Sequence, residues 1–76
     1  MDTSYLLPAA FERAAKRLYS LRHARNEAQE SVAKATGISN TLLNSIERGS
    51  YENLSFILLQ RLAFYYKVNV FELLAP

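Results

Sequence analysis

Gln29-Glu-Ser-Val-Ala-Lys-Ala-Thr-Gly-Ile-Ser39 reads as a short helix, a stop and a fresh helix start. Ala28, Val32 and Ala33 fall on one apolar face at helical spacing. Gly37 suits the left-handed conformation that closes a helix C-terminus, and Ser39 is a good N-cap for the next helix. Helices joined by so short a turn meet at a sharp angle. Ala33 is small where the two must approach closely, and Ile38 is expected to plug the turn into a core.

Helical spacing continues on both sides of this stretch. Upstream, a first helix is expected from near Pro8, a residue suited to the first turn, to about Arg25. Its apolar stripe is Phe11, Ala14, Ala15, Leu18 and Leu21. Asn26 and Gln29 have the spacing of a capping box for the second helix. Downstream, the third helix runs from Ser39 to about Arg48, where Gly49 ends it. A loop, Ser50 to Leu54, leads to Ser55, the next N-cap. A strongly apolar fourth helix covers Phe56 to about Tyr66, with Phe56, Leu58, Leu59, Leu62, Ala63 and Tyr66 directed inward. Asn69 caps a last short helix, Val70 to Leu74. With no sustained period-2 alternation, the expectation is an all-α, compact five-helix fold forming one domain over residues 1–76.

Composition narrows the function. Half of the 76 residues are apolar, so a packed core is expected rather than disorder. There is no cysteine, which excludes disulfides and thiolate metal sites. His23 is the single histidine and has no carboxylate at ligand spacing, so it reads as a surface or helix-end residue, and no metal or cofactor is expected. No paired nucleophile and base and no glycine-rich phosphate loop occur, which argues against an enzyme. The N-terminus lacks the basic and apolar regions of a secretory signal, and no apolar run reaches membrane-spanning length. The expected location is the cytoplasm, with no membrane partner. The net charge of +2 permits nucleic-acid binding without arguing for it.

The third helix carries the functional signal. At about 100° per residue, Asn40, Thr41, Asn44, Ser45 and Arg48 share one polar arc, and Leu42, Leu43, Ile46 and Glu47 the other. Short amides and hydroxyls hydrogen-bond to base edges in a DNA major groove, with Asn suited to adenine. The alternative is an ordinary solvated face. Such a face tends to carry Glu and Lys, which are better helix formers than Asn, Ser and Thr. Glu47, among the inward positions, needs a partner. Arg22 is the best placed, so a largely buried Arg22–Glu47 ion pair is expected; the alternative is a solvated Glu47 at the boundary.

These residues resemble the Xre family, the phage Cro and repressor type of helix-turn-helix. The motif elements are Leu21-Arg22-x-x-Arg25, Gln29-Glu-x-Val-Ala33, Gly37-Ile-Ser39, Ile46-Glu-Arg-Gly49, Leu59-x-x-Leu62-Ala63 and Val68-x-Val70-x-x-Leu73. The resemblance implies a lambda-repressor-like DNA-binding domain with its helix-turn-helix over about residues 28–48. It implies that Gln29 contacts a phosphate and braces the recognition helix, that Asn40, Thr41 and Ser45 read bases with Asn44 beside them, and that Arg48 and the loop after it, with Ser50, form a second phosphate clamp. Ser39 belongs to the same DNA-binding set. The family usually has an apolar residue and then Ser or Thr before the glutamine, where this chain has Glu27 and Ala28. Leu42 either touches a thymine methyl or packs at the helix edge.

The fourth helix is too apolar for one core. Ile57 and Phe64 lie on an outer stripe two turns apart, and Phe71 on the last helix is a third large apolar residue near the C-terminus. Contiguous apolar patches usually mark interfaces. A symmetric homodimer through Ile57, Phe64 and Phe71 is expected, placing two recognition helices roughly 34 Å apart on a palindromic operator; alternatively these side chains fold back under a loop or the N-terminal extension. Tyr19, Tyr51, Tyr65 and Tyr66 read as core or interface aromatics, and Lys16, Arg17 and Lys34 as solvated charges or extra phosphate contacts. The leading function is sequence-specific binding of double-stranded DNA by a homodimeric transcriptional regulator. The alternative is a protein-interaction module of the same fold, such as an antitoxin or regulator subunit.

Overall fold

A computed structural model describes residues 6–49 and 55–76. Five helices follow in chain order: α1 Leu6–Ala24, α2 Gln29–Thr36, α3 Asn40–Glu47, α4 Phe56–Tyr66 and α5 Val70–Leu74. There is no strand among the described residues. The core is built from Ala14 and Leu18 of α1, Val32 and Ala33 of α2, Ile38 of the turn, Leu43 and Ile46 of α3, Leu59, Leu62, Ala63 and Tyr66 of α4, and Leu73 of α5. Each helix thus contributes one stripe, as an amphipathic helix in a small globular domain should. Phe11, Leu21, Leu42 and Leu58 pack half-buried against this cluster.

α1 starts two residues before the expected Pro8, which is physically undemanding. The first four backbone N–H groups of a helix have no acceptor within it, so proline in the first turn removes no bond. Its other end departs from expectation more instructively. Asn26 does not cap α2. It takes a left-handed conformation, φ 54°, while its N–H donates to His23 O at 3.0 Å and Glu27 N–H donates to Arg22 O at 3.1 Å. Those two bonds close α1 as a Schellman motif. Asn is suited to both roles, and where α1 stops decides between them. α2 consequently begins at Gln29 with Ala28 as its N-cap and no capping side chain. Ala28 is exposed and does not join the inner face.

The other caps follow the sequence reading. Gly37 is left-handed at φ 74° and donates to Ala33 O. Ser39, Ser55 and Asn69 accept from the backbone N–H of Leu42, Leu58 and Phe71. Lys67, φ 59°, closes α4 in a second Schellman motif, with Val68 N–H on Ala63 O and Lys67 N–H on Phe64 O. Two side-chain placements, Phe56 and Arg17, differ from expectation. Phe56 is 42% exposed rather than in the core. At the first turn of α4, its ring lies 6.1 Å from that of Phe71, centroid to centroid. Tyr19 is also exposed, its ring 4.0 Å from that of His23. Arg17 is not a free charge: its guanidinium donates to the carbonyls of Glu72, Leu73 and Ala75, and Arg13 does the same to Leu74 and Ala75. These two arginines, one turn apart on α1, satisfy the carbonyls that end α5.

Candidate nucleic-acid interface

α2 and α3 are held at their crossing by a polar cluster set under α3. Arg22 reaches from α1 and donates through Nε to both oxygens of Glu47, at 2.9 and 3.1 Å, and through Nη2 to Oε1 at 2.9 Å. The Glu47 side chain is only 3% exposed and that of Arg22 11%. The expected buried ion pair is therefore present. Arg22 also donates through Nη1 to Glu27 O at 2.9 Å, tying the pair to the loop ahead of α2. The Glu47 hydrogen bonds hold the Arg22 guanidinium even more firmly protonated than usual. Gln29 completes the cluster from α2: its Nε2 donates to Glu47 Oε1 at 3.2 Å and to Asn44 Oδ1 at 3.3 Å. Three helices thus converge on one carboxylate. A buried pair of this kind is better understood as fixing geometry than as adding stability.

With its inner face held, α3 presents the opposite one. Ser39, Asn40, Thr41 and Arg48 are exposed, and Asn44 and Ser45 are half-buried beside them. Leu42 packs against the core, which resolves its alternatives in favour of packing. A cleft of about 620 Å³ runs along the junction of the two helices, lined by Glu30, Ser31, Ala33, Lys34, Gly37, Ile38, Ser39 and Asn40. Ser50, assigned with Arg48 to the phosphate clamp, and Tyr51 lie outside the described residues. Among the described residues no group of acidic, histidine or cysteine side chains is arranged to hold a metal, and no helix is long and apolar enough to cross a membrane.

A second cluster, which sequence reasoning did not anticipate, fixes the loop between α1 and α2. Tyr65 of α4 donates its hydroxyl to Glu27, Arg25 pairs with Glu27 at 2.7 Å, and the Arg25 guanidinium lies over the Tyr65 and Tyr66 rings at 5.2 and 5.3 Å. Its one sequence signal is Glu27 itself, a charge where the resembled family usually carries an apolar residue. The Glu27 hydrogen bond and burial raise the Tyr65 hydroxyl above its ordinary range.

The short α2, the glycine turn and an α3 with a fixed inner and a polar outer face define a helix-turn-helix DNA-binding domain. The sequence matches the helix-turn-helix family over residues 18–73, most of its length. The chain belongs to that family, in its Xre/Cro type, whose members bind DNA to regulate transcription. No curated protein and no solved structure matches the chain.

Proposed function

We propose that this chain is a transcriptional regulator that binds a specific duplex sequence as a homodimer. The observation that carries the reading is α3 itself: exposed Asn40 and Thr41 on one face, and on the other a carboxylate anchored by Arg22 and Gln29. Asn40, Thr41, Asn44 and Ser45 read base edges in the major groove, and Ser39 and Arg48 contact the flanking backbone. Phosphate contacts set the register on the duplex and base contacts supply the sequence preference. Selection of bound sites from a random duplex pool tests this. A single preferred sequence is expected, with affinity falling steeply as salt rises. A pool that returns no preferred sequence removes the specific reading.

The homodimer reading rests on Ile57, Phe64 and Phe71, which are 68%, 86% and 67% exposed. Large apolar side chains this bare on a small domain favour an interface, and a two-fold dimer predicts a palindromic site. The same residues, with the modest net charge of +2, favour a second reading, a module that docks another protein, such as a toxin. Gel filtration with and without random-sequence DNA at low salt separates the two. A species whose elution DNA leaves unchanged supports the second.

A further inference from the structure

α1 and α5 pack side by side without closing over their whole length. Between them lies a groove of about 500 Å³, a volume typical of small-molecule sites. Its α1 wall runs from Lys16 through Ser20 and Leu21 to Ala24, a span of about 12 Å at the helical rise. The facing wall is Val68, Glu72 and Leu73. Ser20 and Ala24 are short where α1 passes α5, and Leu21 and Val68 are left half-buried on the floor. No lining residue belongs to α3, and Phe71 stands about 160° around α5 from Leu73. The groove is thus distinct from both surfaces described above.

Its two ends differ in chemistry. Arg13 and Arg17 hold the C-terminal end of α5, so the entry to that helix, Val68, falls toward Ala24, where the side chains offer only carbon. At the other end Lys16 is exposed and pairs with no carboxylate among the described residues. Arg17 commits Nη1 to the carbonyls of α5, while its Nε and Nη2 meet no acceptor among the described residues. A guanidinium edge can grip a carboxylate in two parallel bonds. Ser20, one turn from Lys16, adds a hydroxyl. Glu72 belongs to this end as well, so two cations face one carboxylate, an excess of one positive charge. We propose that the groove binds a small amphipathic monoanion, with a carboxylate head on Lys16 and Arg17 and an aliphatic tail of medium length on Leu21, Ala24 and Val68. The single excess charge matches one negative group; a second would lie unmatched beside Glu72. The site stands whether or not the outer face of α3 reads bases.

The test uses the full chain, with octanoate, 1-octanol and propionate as probes and backbone-amide NMR shifts as the readout. Octanoate is expected to bind in roughly the millimolar range, as its size allows, and to move the amides of Ser20, Leu21, Ala24 and Val68. Propionate, which has the head without the tail, should bind too weakly to measure. Lys16→Gln alters an exposed side chain; it should weaken octanoate about threefold to fivefold and leave 1-octanol unchanged. Ala24→Phe fills the apolar end and should abolish binding of both. Thermal melts confirm that each variant folds, and Lys16→Gln keeps the inference falsifiable if Ala24→Phe does not. The proposal is overturned if octanoate moves no amide, if propionate binds as well as octanoate, or if Lys16→Gln leaves octanoate unaffected. Shifts centred on Phe64 and Phe71 overturn it too, since they place the tail on the exposed apolar patch. So does octanoate that lowers the sedimentation coefficient, because the groove would then be filled by a second copy of the chain.

Discussion

The outward face of α3 and the outward face of α4 and α5 depart from ordinary solvated helix surface in opposite directions. α3 exposes Asn40 and Thr41, short polar residues that weaken a helix relative to Glu or Lys. α4 and α5 expose Ile57, Phe64 and Phe71, which strengthen no local structure and leave apolar area in water. The support beneath them differs too. Under α3, beside the buried Leu43 and Ile46, lies a hydrogen-bonded carboxylate shared by three helices; under α4 lies an apolar row alone, Leu59, Leu62, Ala63 and Tyr66. A face that must present hydrogen-bonding groups in set directions needs a directional foundation. A face that offers only area needs a packed one.

The largest expected effect comes from removing the directional foundation. Glu47→Ala or Arg22→Ala leaves a buried charge without its partner and should cost about 3–5 kcal/mol in urea unfolding. Replacing both together, Arg22→Met with Glu47→Leu, should cost far less while still loosening sequence preference. A cost under about 1 kcal/mol for Glu47→Ala would mean that the carboxylate cluster adds little to the apolar anchoring of α3, and the contrast between the faces would dissolve.

Next in size is the apolar face. Phe64→Asp should weaken self-association by about 2 kcal/mol or more, read by sedimentation velocity, while leaving the melting temperature of the monomer nearly unchanged because Phe64 touches little of its own chain. An unchanged dimer would remove this face from the interface. On the polar face, Asn40→Ala or Thr41→Ala should each relax one base position by about 1–3 kcal/mol. Arg48→Ala should instead weaken all sequences alike and reduce the salt slope by about one. If Asn40→Ala behaved like Arg48→Ala, the division between reading and anchoring would be misplaced.

The smallest effect concerns Tyr66, which is 6% exposed and has no hydrogen-bond partner for its hydroxyl among the described residues. Burial, with Glu47 and Glu27 nearby, pushes that hydroxyl from its ordinary 10.0 up to about 12. The raised folded value means that the neutral ring's contribution is complete below the unfolded value near pH 10 and is lost as pH climbs through about 12. Tyr66→Phe should gain about 1 kcal/mol at neutral pH and flatten this alkaline loss in denaturation curves collected across pH.

Much of this was legible in the sequence, for reasons that differ by residue. Gly37, Ser39, Ser55 and Asn69 act within a few positions of themselves, so their roles appear in local order. The Arg22–Glu47 pair was legible because an inward charge demands a partner and few candidates exist. Asn26 was misread because its two talents, capping a start and turning left-handed at an end, look identical until the end of α1 is known. Phe56 was assigned inward by a wheel that knows angle but not whether a neighbour covers that turn. The Gln29 contact with Asn44 spans two helices and depends on how closely they cross. The Tyr65–Glu27 bond joins residues 38 positions apart, beyond any local pattern.

Arg13 and Arg17 grip the last helix only through main-chain carbonyls. Every amino acid carries that oxygen, so the grasp is indifferent to which side chains occupy positions 72–75. The arginine half is demanding and the carbonyl half permissive. Replacements at Glu72 or Ala75 can accumulate without loosening the hold, whereas a single change at Arg17 severs three bonds at once.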